Sequence, residues 1–154
     1  MDKEDLHGES GTIMRGHVGV FWTQLELAKQ GIASKYIDET MDLYLWARKY
    51  NVEVKASQEA TTVRTGKKMK RNTYEFRFDV SQCEKDAFDY AICLGMDDNQ
   101  NVVDYYIIPQ PYLHYVANNN NRKEKRASII VLTRPSKSRK FCNTYDKYQM
   151  CKNI

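Results

Sequence analysis

Two short segments with alternating apolar side chains, separated by a few residues, constrain the fold of this chain most. They span residues 39–47 and 51–57, and their apolar positions are Met41, Leu43, Leu45, Val52, Val54 and Ala56. A period of two places alternate side chains on opposite faces of a β-strand. The pattern therefore predicts two strands joined by a short turn at residues 47–50, with one face of the hairpin buried.

A four-residue turn also predicts which residues face one another across this hairpin. The predicted partners are Trp46 with Asn51, Tyr44 with Glu53, and Asp42 with Lys55. Paired residues project to the same face of a sheet. Asp42, Glu53 and Lys55 are therefore expected to meet on the polar face, because a slip by one residue would reverse the two faces.

The rest of the chain predicts a helix followed mainly by strands. Apolar residues at three- and four-residue spacing predict a helix over residues 16–30, which Gly31 ends. Further strands are predicted at residues 73–80, 88–94, 102–108 and 128–133, with a closing helix at 145–150. This order indicates an α/β or α+β domain with a mixed central β-sheet flanked by helices. With 154 residues we expect a flexible N-terminus at 1–11 and one domain at 12–154.

The composition and the absence of certain motifs limit the cellular compartment and the class of protein that we expect. No apolar run approaches the roughly 20 residues of a membrane span, and the charged start lacks a hydrophobic signal core. The four cysteines are widely spaced without a CxxC pair, which argues against a disulfide framework or zinc cluster. The motifs of P-loop ATPases, serine hydrolases and zincins are missing. We therefore expect a cytoplasmic protein with no membrane partner.

Basic residues form three groups outside the predicted core elements. The first surrounds a predicted loop at residues 65–71 and contains Arg64, Lys67, Lys68, Lys70 and Arg71; the others lie at 122–126 and 134–140. Such groups suit a nucleic-acid backbone, because each contact with a phosphate releases condensed counterions. Ordinary solvated loops are the alternative interpretation.

Two carboxylates and one amine on the hairpin suit metal-assisted phosphodiester chemistry. Asp42 and Glu53 are candidate ligands for Mg²⁺, which prefers oxygen, with the carbonyl of Val54 as a further ligand and Mn²⁺ as a substitute ion. Lys55 would orient or deprotonate the attacking water and neutralise charge on the phosphate. The alternative is a common surface salt bridge between neighbouring strands.

Several short motifs occur in an order that is similar to one nuclease superfamily. They are Gly16 and Gly19 on the first helix, Asp42-Leu43, the run VEVKAS at 52–57, the triplet FDY at 88–90 and YIIP at 106–109. Over residues 12–113 this order resembles the PD-(D/E)XK superfamily, and most closely its small restriction-endonuclease-like, homing-endonuclease-like and resolvase-like members.

The resemblance implies a function and a set of residues. It implies an Mg²⁺-dependent endonuclease that hydrolyses DNA, with Asp42, Glu53 and Lys55 in the active site. RNA is the alternative substrate, since no residue in the sequence is specific for a 2′-hydroxyl or a base edge. Gln58 resembles a glutamine found near the lysine in parts of the superfamily, although a plain polar loop residue is the alternative. One domain offers a single active site, so cutting both strands requires a homodimer or a larger homo-oligomer.

Two positions depart from the superfamily pattern. Met41 replaces the proline that often precedes the aspartate, and Val20 stands where many relatives carry a helix glutamate; Gln24 and Glu26 follow on the same helix. Val20 favours the alternative of a catalytically inactive nucleic-acid-binding or structural domain with the same fold. Beside the acids, Tyr44 and Trp46 are candidates to stack on a base or sugar, or else to form a wall of the core.

Overall fold

The computed structural model describes residues 9–38, 41–113 and 128–133. The basic groups at 122–126 and 134–140 and the closing helix expected at 145–150 lie outside these residues. Within them the elements follow the order helix, then strands: α1 (Glu9–Lys29), β1 (Ser34–Asp38), β2 (Met41–Leu45), β3 (Tyr50–Arg64), β4 (Lys67–Phe78), a 3-10 helix (Val80–Cys83), β5 (Tyr90–Met96), β6 (Val102–Pro109) and β7 (Ser128–Thr133).

The strands form one mixed sheet, which confirms the predicted fold class. Strands β1, β2 and β3 are antiparallel neighbours, β5 lies parallel to β3, and β6 lies antiparallel to β5. The far half of the long strand β3 pairs instead with β4, which then pairs with β7. β3 therefore belongs to both halves of the sheet. It carries the predicted Glu-x-Lys segment where β2 and β5 flank it.

Helix α1 covers one face of the sheet. Its first turn lies within the segment expected to be flexible, because the helix begins at Glu9 rather than at residue 16. A Cβ on Gly19 would come within 3.3 Å of Ala56 and Leu94, so glycine allows the helix to approach the sheet closely. No helix among the described residues is both long and apolar enough to cross a membrane.

Two apolar cores lie on opposite faces of the sheet. The α1 side contains Val20, Leu27, Leu43, Leu45, Val52, Val54, Ile92, Leu94 and Ile107. The other side contains Tyr74, Phe76, Phe78, Cys83, Phe88, Ala91, Cys93, Tyr106, Ile108 and Leu113. Residues of β5 alternate between the two cores, as a period of two requires, while the apolar residues Val52 and Val54 of β3 belong to the α1 side. Glu53 and Lys55 belong to the second face, because their β5 partners are Ala91 and Cys93.

The predicted register of the β2–β3 hairpin is wrong by two residues, although the predicted faces are right. Leu43 pairs with Val52, and Tyr44 pairs with Asn51 rather than with Glu53. The four-residue turn covers 46–49 instead of 47–50, because Lys49 adopts a left-handed conformation with φ of 55°. An even shift preserves the face of every side chain.

The predicted basic loop at 65–71 is wrong, because these residues extend β3 and β4 into a hairpin arm. We use the name basic arm for residues 61–72, all of which are exposed. Thr65 and Gly66, with φ of 49° and 75°, form the two-residue turn. Positive φ at both central residues is typical of the tightest β-hairpins. At the base, residues 71–73 of β4 lie opposite the single residue Ala60 of β3, and such a bulge bends a strand.

Candidate active site

Asp42 lies at the point where β2 separates from β3. The β-ladder between these two strands ends at the pair of Leu43 and Val52. One step further on, the N–H of Val54 donates to Oδ2 of Asp42 at 2.6 Å. The side chain therefore takes the place of a ladder acceptor, which positions the carboxylate against β3 beside Glu53.

Glu53 is a buried acid with two polar partners. Its side chain is 6% exposed, and Oε1 lies 2.9 Å from Nζ of Lys55. The same oxygen accepts a hydrogen bond from Nε2 of Gln82 at 2.6 Å. A buried carboxylate is rare unless it is paired in this way.

Lys55 joins the acids from the next outward position of β3. Its side chain is 25% exposed, and Nζ lies 5.5 Å from the centroid of the Phe78 ring. The ammonium group of Lys55 therefore lies over the Phe78 ring and pairs with Glu53. Asp42, Glu53 and Lys55 therefore lie on one face of the sheet.

The electrostatics of the two acids reflect this crowding. Burial raises the pKa of Asp42, against the opposing effects of the Val54 N–H and the Lys55 charge. Burial also raises the pKa of Glu53, and the negative charge of Asp42 raises it further, while Lys55 and Gln82 act in the opposite direction. Because the negative charge of Asp42 raises the pKa of Glu53, the two carboxylates are close enough to repel each other. Such repulsion favours a shared cation.

Gln82 is a site residue that sequence reasoning missed. It lies on the 3-10 helix, and its Oε1 accepts the N–H of Asp79 at 3.0 Å. That bond orients the amide, so the NH₂ group points to Glu53. The spacing of Asp79 and Gln82 resembles a helix capping box, which is the signal that could have marked the position. Gln110, 2% exposed, donates in turn to the carbonyls of Gln82 and Glu84.

The structure does not bring Gln58 to the acids. Its Nε2 donates to the carbonyl of Asp97 at 3.5 Å. Alternation along β3 places it on the face of Val54 and Ala56, opposite Glu53 and Lys55. Tyr44 and Trp46 share the face of Asp42 by the same alternation, and their rings meet edge to face at 5.4 Å between centroids.

In the described part of the chain, helix α1 adds no third carboxylate to Asp42 and Glu53. Val20 is 7% exposed and lies in the core under α1. Glu26 pairs with Lys29 on the helix surface at 3.0 Å. Among the described residues there is no group of three or more histidine, cysteine, aspartate or glutamate side chains that could hold a metal ion. A cation at this site would therefore depend on Asp42, Glu53 and backbone oxygen.

The basic arm carries all five residues of the first basic group. Its two faces differ: one presents Thr61, Val63, Lys68 and Lys70, and the other presents Thr62, Arg64, Lys67 and Met69. Nζ of Lys70 lies 3.4 Å from Asp98 in the β5–β6 turn, and Nη1 of Arg71 lies 3.4 Å from Glu75. Such exposed pairs contribute little to stability, and the side chains of Lys70 and Arg71 remain 56% and 47% exposed to solvent.

Comparison with known proteins identifies a structural relative. No family model matches the sequence, and no curated protein matches it. A solved structure of a bacterial homing endonuclease, I-Ssp6803I, superposes with a TM-score of 0.54 at 12% identity, over 89% of this chain and 85% of that protein. At this identity the likeness shows a common fold, the mixed α+β fold of an endonuclease-like domain.

Proposed function

We propose that this chain is a metal-dependent DNA endonuclease of the PD-(D/E)XK kind. The observation that carries the proposal is the buried Glu53, which lies 2.9 Å from Lys55 and electrostatically within reach of Asp42 on one face of the sheet. This chain combines an aspartate, a Glu-x-Lys segment and an endonuclease-like fold. The similar solved structure is that of a homing endonuclease. The fold alone would not decide the activity, so the proposal depends on the site.

The donor set of the site fits a hard divalent cation. Asp42 and Glu53 offer carboxylate oxygens, and their mutual repulsion and burial would be relieved by a positive ion. The carbonyl of Val54 projects to the same strand edge as its N–H, which meets Asp42. We assign Mg²⁺ to these three groups, with Mn²⁺ as a substitute. When bound, such an ion activates water and offsets charge on a phosphate.

The chain's own residues then divide the remaining work. Lys55 directs a positive charge toward the acids, where it orients the attacking water and neutralises charge that develops on the scissile phosphate. Gln82 holds one oxygen of Glu53, so the carboxylate keeps a single orientation. The ring of the buried Phe78 lies beneath the ammonium group of Lys55, where it adds a cation–π contact.

The basic arm is the proposed contact to the DNA backbone. It is exposed on both faces and carries Arg64, Lys67, Lys68, Lys70 and Arg71. A two-stranded β-ribbon has the width that the major groove of DNA admits. We assign these five side chains to phosphates, where they would supply affinity without reading the sequence of the bases.

Two further proposals concern assembly and compartment. A single active site per chain leads us to propose a homodimer or larger homo-oligomer for cutting both strands. Cys93 is buried in the core as a free thiol, which supports a reducing, cytoplasmic compartment.

The proposal is tested by cleavage of plasmid and branched DNA in Mg²⁺, with Asp42→Asn and Lys55→Met assayed beside the wild type. We expect the wild type to cut and both variants to lose activity by at least about 100-fold, while circular dichroism shows unchanged folding. Equal cleavage by Lys55→Met and wild type would refute the assignment.

A catalytically inactive DNA-binding protein with the same fold is the second candidate. The observation that favours it is Val20, which lies in the core where many PD-(D/E)XK relatives carry a ligand. The two candidates differ in cation uptake, because a binder without chemistry requires no ion between Asp42 and Glu53. Wild-type protein that binds DNA but neither cuts it nor takes up Mg²⁺ would establish this second function.

A further inference from the structure

Among the residues that the structure describes, the sheet face that carries the acids is covered on one side of the site and exposed on the other. Beyond Lys55, the core under β4 buries Cys93 and Tyr106. On the other side of Asp42, strands β1 and β2 present Lys35, Ile37 and Trp46 to solvent. The candidate active site therefore lies at the border between a covered half and an open half of one sheet face.

Three side chains on the open half share one patch. Lys35 pairs with Tyr44 across β1 and β2, so the two project to the same face. Trp46 follows on that face, 57% exposed, with its ring perpendicular to Tyr44 at an interplanar angle of 84°. Perpendicular rings do not cover each other face to face, so aromatic surface remains accessible.

We propose that Trp46, Tyr44 and Lys35 form a nucleotide subsite that holds an unpaired base of the DNA strand a short distance from the bond that is cut. An exposed indole offers a stacking surface that accepts any base, and a neighbouring lysine suits the phosphate of the same nucleotide. Trp46 follows the last residue of β2 and lies four positions from Asp42, which is about 13 Å in extended chain, a span that a short stretch of nucleic acid covers.

The subsite implies a substrate class. In a continuous duplex both faces of each base are covered by neighbouring base pairs, so a base must be unpaired or flipped out before it stacks on protein. We infer that the preferred substrate is DNA with unpaired bases a short distance from the scissile phosphate, such as a tailed or branched duplex. This inference rests on the proposed function and adds the form of the DNA.

Binding can be measured separately from cleavage, in buffer with EDTA. Trp22 and Trp46 are the two tryptophans, so Trp22→Phe leaves Trp46 as the single fluorescent reporter. We expect a duplex with a single-stranded tail to quench this fluorescence and the blunt duplex to leave it nearly unchanged. Quenching that is equal for both DNAs, or absent with tailed DNA, would overturn the subsite.

Anisotropy of labelled DNA provides a second measurement that needs no Trp22 substitution. Trp46→Ala should weaken binding of the tailed duplex about tenfold and leave the blunt duplex unaffected. Tyr36→Ala is the matched control, because Tyr36 is 44% exposed on the adjacent strand but pairs with Leu43, on the opposite face. A tail preference that survives Trp46→Ala would contradict the inference.

Cleavage of the blunt duplex in Mg²⁺ distinguishes failure of the subsite from failure of the endonuclease proposal. If the wild type cuts it while Trp46 shows no tail-dependent quenching, the subsite fails and the endonuclease proposal stands. If tailed DNA quenches Trp46 but neither DNA is cut, the subsite stands and the endonuclease proposal fails.

Discussion

Gln82 and Glu53 meet across the sheet face, with Nε2 of the glutamine 2.6 Å from Oε1 of the glutamate. Lys55 approaches that same oxygen at 2.9 Å. Both contacts fall on one oxygen, so the second oxygen is the one we assign to the cation. A buried carboxylate held in this way is pre-oriented for an ion before the ion arrives.

We therefore expect Gln82→Ala to weaken the site without unfolding the protein. Loss of an outer partner of a metal ligand reduces metal affinity or activity by roughly 10- to 100-fold. Cleavage measured over a range of Mg²⁺ concentrations should show a higher Mg²⁺ requirement. Gln58→Ala is the matched control, since Gln58 lies on the opposite face, and it should cleave like the wild type. The reverse ranking of the two variants would exclude the role of Gln82.

Glu53→Gln should stabilise the protein at neutral pH when no metal is present. Burial, and then the charge of Asp42, raise the pKa of Glu53, so the folded state holds a proton that the unfolded state has released. The free energy of unfolding therefore falls as the pH rises from the ordinary carboxyl range through the raised pKa.

The pH dependence of Glu53→Gln can be measured by urea denaturation in EDTA between about pH 4 and pH 7. The wild type should lose stability relative to Glu53→Gln as the pH rises. Glu75→Gln, at an exposed glutamate of β4, is the control for removal of one carboxylate at a surface position. A Glu53→Gln variant that becomes progressively less stable than the wild type with rising pH would show that the carboxylate stabilises the fold.

Lys68→Gln should weaken DNA binding and reduce its salt dependence. Lys68 lies near the tip of the basic arm, opposite Val63. Loss of one phosphate contact lowers the slope of log affinity against log salt by about 0.9. Lys29→Gln at the end of α1 removes the same charge elsewhere and should leave the slope unchanged. Identical slopes for Lys68→Gln and wild type would remove Lys68 from the DNA contact.

Gly95→Ala should destabilise the fold, because a Cβ at this position would clash with the buried ring of Tyr74. Tyr74 is held by its hydrogen bond to Asp104 at 2.5 Å, so the ring cannot move away easily. Overpacking of this kind costs about 1–3 kcal/mol. Gly16→Ala, in an open position on α1, should instead stabilise by roughly 0.5–1 kcal/mol. Thermal unfolding of both variants checks the contrast, and equal stability of Gly95→Ala and wild type would contradict it.

The faces of the central hairpin could be predicted, but its register could not. Leu43 and Val52 are apolar and must be buried, so any even shift keeps Asp42 and Glu53 on the other face. The register itself depends on the left-handed φ of Lys49, which a lysine adopts without any signal in the pattern. Burial of apolar side chains therefore determines which face of a strand is covered, but it does not determine which residues pair across two strands.

The basic arm and Gln82 were missed for different physical reasons. Both faces of the arm are exposed, so its residues show no apolar alternation and read as a loop. Gln82 lies 29 residues from Glu53 in the sequence. A contact between residues so far apart depends on how the chain folds back, and the spacing of apolar residues does not reveal it. Strand β1 was also missed, since Tyr36 and Ile37 are both largely exposed.

Calorimetric titration of Mn²⁺ into the wild type and Asp42→Asn tests the cation site most directly. The account predicts one saturable site per chain in the wild type, lost in Asp42→Asn and retained in Asp98→Asn, where the acid is exposed in the β5–β6 turn. Absence of binding to the wild type, or equal binding to Asp42→Asn, would contradict the assignment of a metal ion to Asp42 and Glu53.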